Sequence, residues 1–122
     1  MRINIFLIGA LLSVLFISGC ATQKDMYHWG EYEQLVYDSY INPGSSDAQA
    51  QISKLNVDIQ QSENQGKRVA PGIYAHLGFM YAIQGKESQS QAAFLEEKSL
   101  YPESKVFIEG MLDRASKNKK AL

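Results

Sequence analysis

Few side chains in this sequence are able to do chemistry, and their spacing narrows what that chemistry would be. His28 and His76 are its two imidazoles and Cys20 its one thiol. One cysteine forms no internal disulfide, and with two histidines it cannot close a Cys/His zinc cage. Acidic neighbours such as Glu96 and Glu97 diverge by about 100° on a helix, so they do not converge on one substrate as an acid–base pair must. The chain has no G-x-S-x-G elbow, no glycine-rich phosphate loop and no H-E-x-x-H pair. His28 beside Trp29 reads as a packed or interfacial pair, and His76 as a structural or exposed histidine rather than a general base. The expectation is a protein without catalytic residues or metal ligands, and not an enzyme.

Composition points the same way. The 122 residues leave room for one small domain. Lys and Arg number 12 and Asp and Glu 13, and Arg2 is the one charged residue in the first nineteen. So balanced a chain lacks the basic excess that nucleic-acid binding requires. Hydrophobic residues make up 45%, enough for a real core.

The chain opens on Met1-Arg2-Ile3-Asn4, a short positive start, followed by an apolar run from Ile5 to Ile17. As a helix that run rises about 20 Å, short of the roughly 30 Å hydrocarbon core, and so reads as a signal-peptide segment. Ile17-Ser18-Gly19-Cys20 then resembles a bacterial lipobox. That resemblance implies cleavage after Gly19, a diacylglyceryl thioether on Cys20 and acylation of its new amino group. Two or three acyl chains hold firmly where one holds weakly. Ala21 stands where an Asp would favour inner-membrane retention, which points to the outer membrane. The expected division is a lipoprotein signal peptide over 1–19, a lipidated tether over 20–26, a helical domain over 27–117 and a basic tail over 118–122.

The elements that must position these residues are helices separated by proline and glycine. Trp29 to Tyr40 has apolar residues at helical spacing apart from Gly30, and Asn42-Pro43-Gly44 is a turn. Ser46 with Gln49 makes a capping-box pattern ahead of a stripe at Ala48, Ile52, Leu55 and Ile59, on a helix to about Ser62. Glu63 to Arg68 reads as a connection. Pro71 to Gln84 is the next helix, stopped by Gly85. Glu87 to Tyr101 follows, closed by Pro102. Ser104 is expected to cap a fifth helix with a stripe at Ile108, Met111, Leu112 and Ala115. Arg114, Lys117, Lys119 and Lys120 place positive charge at its end, where the helix dipole favours it.

Residues 71–104 resemble one tetratricopeptide repeat. Tyr74, Leu77-Gly78, Tyr81, Gly85, Ser90, Phe94 and Pro102 stand at its aromatic, Leu-Gly, turn, small, aromatic and closing-proline positions. Glu97-Lys98 departs from the pattern where a small and an aliphatic residue are usual. Either Glu97 is buried against a donor, with Tyr74, His76 and Arg68 as candidates, or it stays at the solvent edge. One repeat cannot bury its own faces, so residues 27–66 are expected to supply an upstream helix pair and the fifth helix a cap. The fold class expected is all-α, a tetratricopeptide-like α-α stack of about five helices.

The chain is also similar to a family of small bacterial lipoproteins classed as a domain of unknown function. The similarity rests on Tyr27-His28-Trp29-Gly30 with Tyr32, on Pro71 to Gly78, on Ala93-Phe94 with Glu97-Lys98, and on Tyr101-Pro102-Glu103-Ser104. It implies an accessory of cell-envelope assembly or transport with no established activity; together with the lipobox and Ala21, the expected location is the outer membrane, lipid-anchored and facing the periplasm. Its expected partners are envelope proteins, a lipoprotein resembling the curli secretion channel among them, and its only prosthetic addition the lipid on Cys20. The repeat resemblance implies an inner face at Ala75, Phe79, Ala82 and Ile83, with His76 beside them. Those side chains either form a groove for a partner segment or are closed over by residues 27–40 as core. The candidate partner-contact residues are Tyr74, His76, Phe79, Ile83 and Glu97. The alternative function is a periplasmic carrier or sensor of a small apolar ligand or lipid.

Overall fold

The computed structural model of the chain describes residues 25–44 and 46–120, with backbone alone at 115, 116 and 118–120. Cys20, the expected signal peptide and most of the tether lie outside the described residues. So do residues 121–122 of the expected tail. Among the described residues the fold is all-α with five helices: α1 Tyr32–Ile41, α2 Ala48–Asn64, α3 Ile73–Ile83, α4 Glu87–Leu100 and α5 Lys105–Lys120. Two strands of two residues each, β1 Tyr27–His28 and β2 Arg68–Val69, pair in parallel with Tyr27 opposite Arg68.

The strands were not expected, and they move two boundaries. Extended backbone at β1 and a φ of +50° at Gly30 delay α1 to Tyr32, where helical spacing pointed to Trp29. The Glu63–Arg68 connection is shorter than expected, because α2 runs to Asn64 and Arg68 opens β2. The cap of α2 is also one residue later. Asp47, not Ser46, accepts the Ala50 amide at 2.6 Å. Ser104 does not cap α5 through its side chain. A 3-10 turn over Pro102–Ser104 leads into that helix, and the Ser104 hydroxyl donates back to the Tyr101 carbonyl at 2.7 Å.

The core sits between α2, α3 and α4. Ile52, Leu55 and Ile59, three members of the expected stripe, bury against Val69, Ala70, Ile73, Leu77, Met80 and Ala93. The α3–α4 hairpin closes tightly because Gly78 has no side chain: a Cβ there would stand 2.8 Å from Phe94 Cδ1. Phe94 and Ser90 are buried beside it. Among the described side chains, α1 and α5 each add one inward residue, Leu35 and Ile108.

Candidate functional site: an uncharged groove between three helices

With α1 and α5 thinly attached, a groove of about 510 Å³ remains between them. α1 gives one wall through Tyr32, Val36, Ser39 and Tyr40, and α5 the other through Phe107 and Met111. α3 supplies the floor with Gly72, Ala75, His76, Phe79 and Met80, and Gln51 of α2 reaches it from behind. None of these side chains is formally charged. Phe79 is 46% exposed, Phe107 56% and Tyr40 80%. The three rings open onto the same groove.

The polar groups of the groove are tied to one another. His76 Nε2 lies 2.9 Å from Gln51 Oε1, and Gln51 Nε2 donates to the Ser46 carbonyl at 3.0 Å. That second bond orients the amide, so Nε2 of the imidazole carries the hydrogen and Nδ1 is the site left for a further proton. Ser39 Oγ donates to the Val36 carbonyl at 2.6 Å. Tyr32 meets the His76 ring edge-on with centroids 6.0 Å apart. Burial pushes the His76 pKa below its ordinary value of 6.5, and burial first, then the Glu97 charge, pushes Tyr32 above 10.0.

Behind the floor lies Glu97, only 3% exposed. Its Oε1 accepts the Gly72 amide at 2.8 Å and its Oε2 the Ala75 amide at 3.3 Å. The donors are therefore backbone amides at the start of α3, not Tyr74, His76 or Arg68. Burial raises its pKa above 4.5, against the opposing pull of the Gly72, Ala75 and Tyr74 amides, with a further rise from Glu103. A second carboxylate plays the same part for α1. Asp58, also 3% exposed, accepts the Glu31 amide on both oxygens at 3.1 and 3.2 Å.

Of the five residues singled out from the sequence, the structure brings His76 and Phe79 together in the groove. Tyr74 is half-buried against the core cluster. Ile83 is 59% exposed but outside the groove walls. Glu97 faces inward beneath the floor. The tyrosines and Val36 of α1 and Met111 of α5 were visible as helical stripes, but nothing in the spacing showed that they would face one another. At the opposite end, Arg68 stacks 5.3 Å from the Tyr101 ring centroid and 6.0 Å from that of Tyr27, and donates to the Leu100 carbonyl. The Tyr101 hydroxyl donates to the Val69 carbonyl. Its pKa is pushed up to about 12, chiefly by burial and then by the neighbouring Tyr27.

Among the described residues there is no group of three His, Cys, Asp or Glu placed to hold a metal ion. No helix among them is long and apolar enough to cross a membrane. No curated protein and no solved structure matches the chain. A family match does cover residues 26–111, from the residue before β1 into α5, and by it the chain belongs to the domain-of-unknown-function family DUF4810.

Proposed function

We propose that this protein is an outer-membrane lipoprotein, facing the periplasm and anchored through acyl chains on Cys20. Its helical domain acts as a non-catalytic interaction scaffold in a cell-envelope assembly or secretion complex. The observation that carries this reading is the groove: an uncharged surface ringed by Phe79, Phe107 and Tyr40, all well exposed. Burying apolar area of that kind against a partner is favourable by about 25 cal/mol per Å². No acidic side chain lines the groove to pair with His76 as a catalytic acid or base. The lipobox-like Ile17-Ser18-Gly19-Cys20 supports the anchor. A tetratricopeptide-like stack supports the scaffold role, and by family resemblance a lipoprotein similar to the curli secretion channel is the first partner to look for.

Two measurements test it. Cys20→Ala should move the protein from the membrane to the soluble fraction, and a variant that stays membrane-bound removes the anchor. A photoreactive phenylalanine in place of Phe79, in cells with Cys20 lipidated, should form a discrete adduct with another envelope protein. Adducts confined to its own chain defeat the scaffold, and adducts to phospholipid alone turn the reading to a lipid carrier.

A further inference from the structure

Resting on the scaffold reading, we infer that the groove receives the uncharged apolar face of an amphipathic partner helix, and that His76 makes this docking reversible by acid. The first half follows from the hydrogen-bond accounts of the lining. An extended segment brings unpaired N–H and C=O groups that need partners when they leave water. The groove has few to give, the Tyr32 and Tyr40 hydroxyls and His76 Nδ1, against two per residue of an extended strand. Ser39 is bonded to Val36, and Gln51 uses both ends of its amide, on His76 and Ser46. A helix arrives with its backbone bonds satisfied internally and asks the lining only for apolar contact. An acyl chain would also need no hydrogen bonds, but the groove is open along one side and would leave it half wet. A helix covers that side with its own polar face.

The charge pattern selects the face. All twelve lining residues are formally neutral, so a Lys, Arg, Asp or Glu pressed into the groove would be desolvated with no counter-charge. The same reasoning applies to the protein's own imidazole. From α1 the titratable neighbour of His76 is Tyr32, and from α2 Gln51, which does not titrate. α5 offers Phe107 and Met111. The Glu97 carboxylate of α4 is held on the Gly72 and Ala75 amides. A proton on Nδ1 therefore places an uncompensated cation under the bound helix. Burial, which lowers the pKa of His76 already, opposes that proton further once a partner covers it.

The test uses the full lipidated chain in its membranes, with a photoreactive phenylalanine in place of Phe107 and the adduct mapped to residues of the partner. At about pH 7.5 the adduct should fall on a helix face without charged residues, and at about pH 5 its yield should drop at least about twofold. His76→Gln and His76→Phe, which cannot take up the proton, should show equal yields at both pH values. His76→Lys should give a poor yield at both. An adduct on an extended or charged stretch, an adduct on phospholipid alone, a yield that ignores pH, or an acid loss that persists in either uncharged variant overturns the inference. An adduct on a protein that fails only the helix or pH criteria leaves the scaffold standing. The absence of any adduct from both Phe79 and Phe107 brings down the scaffold with it.

Discussion

Phe79 and Phe94 belong to the two helices of one hairpin and meet opposite surroundings. Phe94 is 2% exposed and packed on Gly78, whereas Phe79 is 46% exposed on the groove floor. Phe94→Ala should therefore cost about 3–5 kcal/mol in a thermal melt, and Phe79→Ala less than about 1 kcal/mol while weakening partner capture. Comparable losses would return Phe79 to the core. Glu97 and His76 give opposite acid responses. The fold raises the carboxylate's pKa, so it favours the protonated acid, and that contribution to stability grows as pH falls through the raised value. The fold lowers the imidazole's pKa, so it favours the neutral ring. That contribution is complete above 6.5 and is lost as pH falls toward the lowered value. A melting series on Glu97→Gln checks the first sign: the wild type should gain on the variant as pH falls from about 7 to about 4.5.

At the scale of elements, two units repeat one device. Each has a short strand, a glycine of positive φ and a tyrosine two residues on, then a helix, with a buried carboxylate from the next helix holding an amide at its N-terminal end. Gly30, Tyr32 and Asp58 make the first, and Gly72, Tyr74 and Glu97 the second. A Cβ at Gly30 would lie 1.9 Å from Asp58 Oδ1. Gly30→Ala should thus cost about 2 kcal/mol or more, through strain and a broken cap. Gly66→Ala, with φ +61° but open space around it, should cost about 1 kcal/mol by chemical unfolding. Equal costs would mean that the Asp58 contact carries no weight. Helix spacing, the turn at Gly85 and the repeat positions of Gly78 and Phe94 were legible in the sequence because each is a local or motif-borne signal. The strands were not: two residues are too few to show alternation, and their pairing joins positions 41 residues apart. Asp58 was unreadable for the same reason, since its partner is a backbone amide far along the chain. The groove was half legible, its α3 floor through the repeat pattern and its walls only as stripes with no stated neighbour.

Across the whole molecule, rigidity is unevenly distributed. α2, α3 and α4 share the core cluster, while Leu35 is the one buried residue of α1 and Tyr37, Tyr40 and Ile41 face solvent. Local opening follows buried contact, so amide exchange should be faster along α1 than along α2 or α3, and a partner in the groove should slow α1 most. Uniform protection across α1, α2 and α3 would contradict that order. The β1–β2 pairing has a mechanical consequence. Tension arriving through the chain before Met26 reaches β1 first, where the Arg68 amide holds the Met26 carbonyl at 3.2 Å and Tyr27 leans on Tyr101. The load then passes into β2 and the α3–α4 hairpin before it reaches α1. Should the strand peel away, the next resistance is Asp58 gripping the Glu31 amide. A pull from that end is thus met by two clamps in series before α1 bears it.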